Sequence, residues 1–173
     1  METSRNQILS MRKRTKVSDV FRPLGECPIQ AFFGRGVYVL GLIKWVLAQT
    51  GKADVMVSSY STSEEFLRGF LLMRKNGLVR SSALLTDAKA TGKTVHLWHI
   101  MSVCFDAVFV GENHSKVVLI CNDKWLVSIV TSQNQTYGNR DESTIITTDQ
   151  SVFRTLYDGY HKQCAGHSLM INL

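Results

Sequence analysis

The period of the apolar positions changes repeatedly along this chain, and each change marks the end of one element and the start of the next. Residues 28–33 read as a short strand, closed by the turn Gly34-Arg35-Gly36. Over 37–49 the apolar residues recur at helical spacing. Val37, Leu40, Trp45 and Ala48 form the main stripe, with Val39, Leu42, Ile43 and Val46 filling in, which predicts a well-buried helix. Residues 54–59 form a strand, and Ser61-Thr62-Ser63-Glu64 supplies an N-cap and early acids for a helix that reaches Lys75 and stops at Asn76-Gly77. A strand over 79–86, a helix over 91–103 and a strand over 105–110 follow. Two apolar runs, 116–121 and 125–130, then flank the turn cluster Asn122-Asp123-Lys124 and predict a β-hairpin. A strand over 142–148 leads to Asp149, which caps a last helix through His161 with Phe153, Leu156 and Tyr160 on one side.

Strands alternating with helices, several of them apolar without alternation, predict an α/β fold whose mixed β-sheet has helices on both faces. The chain has 173 residues, 45% of them hydrophobic, which is enough for one domain with a real core. We assign that domain to 25–173 and read 1–24, which lack periodicity, as a basic arm or a short first element. The strand, Gly-x-Gly and helix near the start do not make a dinucleotide site. Val39 stands where a third glycine is needed, and the strand over 53–58 ends without an acid for a ribose.

Charge and cysteines narrow the function. Residues 1–22 carry six basic residues against Glu2 and Asp19, a net of +4 out of the chain's +6. Arg5, Arg12, Lys13, Arg14 and Lys16 are the candidate nucleic-acid contacts, because cations displace the counterions condensed on phosphates. Cys27, Cys104, Cys121 and Cys164 have no ligand-like spacing and read as reduced thiols. The polar, basic start has no secretory pattern, and the apolar run 37–48 contains Lys44 and is too short to span a bilayer. The expectation is a cytoplasmic protein without membrane association. His96 and His99 share a helical face, but no third metal ligand is near them in sequence.

The hairpin carries the candidate chemistry. With its turn centred on Asp123, His114 lies opposite Ser132 and Lys116 opposite Val130. His114, Lys116, Ser132 and Asn134 then project from one face at one end, a set that suits a phosphate. His114-x-Lys116, Ser132-x-Asn134 and Glu142 on the next apolar run resemble the HKD motif of the phospholipase D superfamily. Cys121 stands where that motif has its aspartate and Thr131 where it has a glycine, and one copy of the motif is present.

The resemblance spans roughly 53–160 and implies a phospholipase D-like fold and a phosphodiesterase that needs neither metal nor cofactor. By that likeness His114 is the nucleophile that forms a phosphohistidine. Lys116, Asn134 and Ser132 hold the non-bridging oxygens, and Glu142 bonds the far imidazole nitrogen. One imidazole cannot attack and protonate the leaving group at once, so a single-motif chain implies a homodimer with a shared site. A nuclease suits a small basic chain of this kind, with DNA ahead of RNA. A non-catalytic nucleic-acid-binding module and a lipid phosphodiesterase are the alternatives. Cys121, at the far end of its strand from His114, is expected to be a buried structural residue.

Overall fold

Why these residues form one sheet follows from their alternation: on each central strand both sets of side chains are apolar, so both faces must be covered. The computed structural model describes residues 16–89, 97–136, 138 and 140–166, together with the backbone of 168–172. Arg5, Arg12, Lys13 and Arg14, the first part of the predicted 91–103 helix with His96, and His167 lie outside the described residues.

Among the described residues there are eight strands: β1 (Ile29–Gly34), β2 (Ala53–Ser59), β3 (Val79–Asp87), β4 (Ala107–Gly111), β5 (Val117–Cys121), β6 (Leu126–Thr131), β7 (Glu142–Thr147) and β8 (Ser168–Asn172). They form one sheet in the order β1-β7-β6-β5-β2-β3-β4-β8. β2, β3 and β4 are parallel, and the remaining neighbours are antiparallel. Three helices, α1 (Val39–Thr50), α2 (Glu64–Lys75) and α3 (Trp98–Cys104), cover one face, and α4 (Gln150–Ala165) covers the other.

The larger core lies under α1–α3. It joins Leu42, Ile43 and Val46 of α1, Phe66 and Phe70 of α2 and Met101 of α3 to Val55, Val118, Ile120, Val127 and Ile129 of the sheet. The second, under α4, joins Phe153 and Tyr160 to Met56, Leu85 and Leu119. The helix ends follow local chemistry. Ser63 Oγ accepts the Phe66 N–H at the start of α2, and Asp149 Oδ1 accepts the Ser151 and Val152 N–H groups at the start of α4. Gly77, at a φ of 72°, lets the chain turn back after α2. Gly69 allows α1 and α2 to meet, since a Cβ there would overlap Leu40.

Three expectations are corrected. Phe21 and Leu24 are buried in the larger core beside a 3-10 turn at Val17–Asp19, so the last part of the segment read as an arm is packed into the domain. α4 runs four residues past His161, and β8 was not anticipated at all. Finally, the hairpin is one residue out of the expected register: Val117 pairs with Val130 and Cys121 with Leu126. The turn explains this. Asn122 Oδ1 accepts both the Lys124 and the Trp125 N–H at 3.0 Å, and the Asn122 N–H bonds the Trp125 carbonyl, so the loop has two residues and is not centred on Asp123.

At the β1 end of the sheet, the face shared with α4 is left bare. Phe33 is 79% exposed, and Ile29, Ile145 and Val130 beside it are also exposed.

Candidate active site

The carboxyl ends of β2, β3, β4 and β6 and the amino end of β5 meet at one edge of the sheet, and the candidate residues gather there. His114 precedes β5 and is exposed, with its ring 5.2 Å from the ring of Tyr60, the residue after β2. Lys116 donates from Nζ to the His114 carbonyl at 2.9 Å.

The segment that carries His114 is fixed by a buried polar network that sequence reasoning missed. Asp87, 6% exposed at the end of β3, accepts the Asn113 N–H at 2.8 Å and the Lys89 N–H at 2.7 Å. Asn113, 8% exposed, donates from Nδ2 to the carbonyls of Ser59 and Leu85. Its Oδ1 accepts from Ser58 Oγ at 3.2 Å, the Ser115 N–H at 3.1 Å and Ser115 Oγ at 2.7 Å, and the hydroxyls of Ser58 and Ser115 also bond each other. Ser115, between His114 and Lys116, is thereby tied to Asn113 and Ser58 although it is itself exposed. The signal available in the sequence was Asn113-x-Ser115, the spacing of an Asx turn, directly before the lysine.

The second half of the site does not come off the hairpin as expected. The Thr131 N–H bonds the Lys116 carbonyl at 3.1 Å, so Lys116 faces Thr131 and the pleat alone would send Ser132 to the other side from His114. The chain leaves the strand at this point. Thr131 Oγ1, engaged with Thr144 Oγ1, accepts the Gln133 N–H at 3.2 Å. The buried Gln133 amide then accepts the Val39 N–H at 2.9 Å and donates to the Val37 carbonyl, which caps the start of α1. This staple fixes Gln133 and with it the course of the chain from Ser132 to Asn134. Thr131, at the motif's glycine position, therefore has a use for its hydroxyl.

Ser132 Oγ bonds the Glu142 carboxylate and accepts the Ser143 N–H at 3.0 Å. The expectation that Glu142 bonds the His114 ring is corrected: its carboxylate is engaged by Ser132. Asn134 is half-buried, and its Oδ1 is fully buried without a hydrogen-bond partner among the described residues. Exposed Arg35 and Asp141 form a bidentate pair at 2.9 and 3.0 Å, which ties the chain after β1 to the start of β7.

Cys121 ends β5, at the opposite edge from His114, and is half-buried rather than buried. Its register partner on β2 is Asp54, which takes a bidentate bond from Arg80 at 2.8 and 2.7 Å and another from Ser81 Oγ. A carboxylate is thus present at that end of the sheet, one strand over from the motif position. Burial, then the Asp54 charge, pushes the Cys121 thiol above its ordinary value.

Hydrogen bonding to Arg80 holds the Asp54 carboxyl below its ordinary value of 3.8, against the opposing effect of burial. A carboxyl held low stabilises the folded state fully above its ordinary value and loses that contribution as pH falls through the folded one. Asp54→Asn is therefore expected to be less stable than the parent at pH 5–7, with the two converging below pH 3.8. Urea unfolding at several pH values checks this, and a gap that stays constant into acid would refute it.

His99 and His161 are exposed on α3 and α4, the latter packed on Tyr157 with ring centroids 4.2 Å apart. Among the described residues no three His, Cys, Asp or Glu side chains cluster as metal ligands, and no helix is long and apolar enough to cross a membrane.

No family model matches this sequence, and neither does any curated protein. Its architecture does have counterparts among solved structures. Nuc, a phospholipase D family member from Salmonella typhimurium, superposes with a TM-score of 0.61 at 12% identity, over 84% of this chain and 98% of its own. NucT from Helicobacter pylori gives 0.60 at 14% identity, over 82% of this chain and 99% of its own. TrmBL2, an archaeal chromatin protein with a novel mode of DNA binding, gives 0.53 at 9% identity, over 98% of this chain and 63% of its own.

Proposed function

We propose, for a chain that has the phospholipase D fold, that it is a phosphodiesterase acting on nucleic acid through a phosphohistidine. What supports this reading is that the segments carrying His114 and Lys116, before β5, and Ser132 and Asn134, after β6, leave the sheet at the same edge, with the His114 segment clamped by Asp87 and Asn113. In the reaction, an imidazole nitrogen of His114 attacks phosphorus as the alkoxide leaves. Water then attacks the phosphohistidine and restores the free ring. Lys116 supplies the positive charge opposite the non-bridging oxygens and Asn134 donates an amide N–H to them, while Ser132, whose hydroxyl proton goes to Glu142, holds that carboxylate beside them.

The leaving alkoxide needs a proton from a group other than the attacking ring, and we assign that role to His114 of a second copy across a two-fold axis. The bare apolar residues Phe33, Ile145 and Val130, on strands that end beside the site, support such a dimer. The basic arm, with Arg5, Arg12, Lys13, Arg14 and Lys16, would add salt-sensitive affinity without sequence preference.

A second reading, nucleic-acid binding without cleavage, is favoured by the likeness to a chromatin protein along 98% of the chain and by a Glu142 already engaged with Ser132. Incubation with plasmid and single-stranded DNA in EDTA separates the two. Cleavage that survives chelation is expected, because Lys116 supplies the positive charge, and Asn134 a hydrogen bond, in place of a metal. Cleavage abolished by EDTA and restored by magnesium would refute the phosphohistidine, and retention of DNA without cleavage would establish the second reading.

A further inference from the structure

His114 needs more than a fixed backbone to attack phosphorus. The hydrogen bonds of Asp87, Asn113 and Ser115 place the main chain of 113–115, but the imidazole still turns about two side-chain torsions. A ring nitrogen that is to meet phosphorus in line has to be held in one orientation. Glu142, the carboxylate expected to hold it, takes the Ser132 hydroxyl instead. Among the described residues the His114 ring has no hydrogen-bond partner. The group set against it is the ring of Tyr60, with centroids 5.2 Å apart and planes tilted by 56°.

Tyr60 stands on a loop that cannot easily give way. The Ser59 carbonyl accepts Asn113 Nδ2 at 3.3 Å, from the same amide that clamps the His114 segment. Ser59, 2% exposed, donates from Oγ to the Ser61 carbonyl at 2.8 Å. The Gln135 N–H bonds both that hydroxyl and that carbonyl, and Ser63 Oγ donates to the Gln135 carbonyl at 2.8 Å. The loop 59–63 is thus fastened to Asn113, next to the nucleophile, and to Gln135, next to Asn134. Tyr60 itself is half-buried, and its hydroxyl makes no hydrogen bond among the described residues. What it offers His114 is the ring and not the phenol group.

We propose that Tyr60 is the positioning residue of His114: its firmly mounted ring sets the orientation of the imidazole, the task that a carboxylate would otherwise perform. The proposal rests on the phosphodiesterase reading and adds a residue to that reaction. Tyr60 transfers no proton and forms no bond to the substrate. It restricts the imidazole to the orientation in which attack occurs, so its contribution belongs to kcat and not to binding.

The test compares Tyr60→Phe, Tyr60→Leu and Tyr60→Ala with the parent in DNA cleavage in EDTA, and follows the His114 ring protons by NMR in the same proteins. His114→Ala identifies the signal, which the nearby aromatic ring displaces from the position of an isolated histidine. Tyr60→Phe keeps the ring and is expected to hold kcat within about twofold of the parent, with the signal nearly in place. Tyr60→Leu and Tyr60→Ala are expected to lower kcat about thirtyfold, to leave KM within about twofold, and to return the signal towards that of an isolated histidine.

A Tyr60→Ala protein that cleaves as fast as the parent would overturn the proposal and leave the nuclease reading intact. A Tyr60→Phe protein as slow as Tyr60→Ala would also overturn it, because the hydroxyl would then be the working group. So would a raised KM with unchanged kcat, which would make Tyr60 a substrate contact. A parent protein that cleaves no strand would defeat the phosphodiesterase reading and this role with it. Should Tyr60→Ala fail to fold, Tyr60→Leu against Tyr60→Phe decides the question by the same two readouts.

Discussion

His114→Ala is expected to lower phosphodiester cleavage by at least about a thousandfold, since it removes the attacking group itself. The side chain is exposed and makes a ring contact with Tyr60, so the variant should keep its fold and its melting temperature. Mixing with the parent gives the sharper result. If the centre is shared, a heterodimer has one imidazole for two roles and is inactive. After full subunit exchange of equal amounts, random pairing leaves about a quarter of dimers with both histidines, and activity per total protein falls to about a quarter. Independent sites would retain about half. A value near one half, or a monomer that cleaves at full rate, would refute the shared centre and direct the search to the remaining histidines.

Asn113→Ala is expected to reduce kcat about a hundredfold with little change in KM. Asn113 touches no substrate in this reading. It is a positioning residue whose five hydrogen bonds, from both ends of its amide, hold the segment 113–115 against β2 and β3. Loss of about an ångström in the placement of a reacting group is worth about that factor. Ser115→Ala loosens the same clamp from the other side, so the double variant should lose little more than Asn113→Ala alone. A purely structural role would instead lower the melting temperature, leave the kcat of the folded fraction unchanged and give additive effects.

The sequence was most legible where short-range chemistry decides. The helix α1 followed from apolar spacing, α2 from its cap and stop residues, α4 from both cap and spacing, and the strands from apolar, β-branched runs. Ser63 and Asp149 both act as N-caps, within the stretches expected to supply them. The mixed sheet covered on both faces followed from strands apolar on both sides. His114 and Lys116 became candidates from two fixed positions of a motif, Ser132 and Asn134 from two more. β8 was missed because a five-residue strand after a helix has no periodic signal of its own, and its place depends on the free edge of β4.

Other features depended on groups far apart in the chain. Whether Asp123 centres a loop or shares it with Lys124 depends on Asn122 Oδ1 accepting two N–H groups, and that single hydrogen-bonding choice moves every cross-strand pair by one. The irregular path from Thr131 to Asn134 depends on Gln133 finding the first N–H of α1, 94 residues earlier in the chain. Glu142 meets a hydroxyl rather than an imidazole because β7 pairs with β6, and Asn113 could be recognised as a clamp only once the ends of β2 and β3 stood beside it. Composition and periodicity determine which side chains are available and which elements carry them, since those depend on neighbours within a few residues. Which of those side chains face one another was decided by the tertiary structure, because a buried polar atom must find its partner wherever the packed chain brings one within about 3 Å.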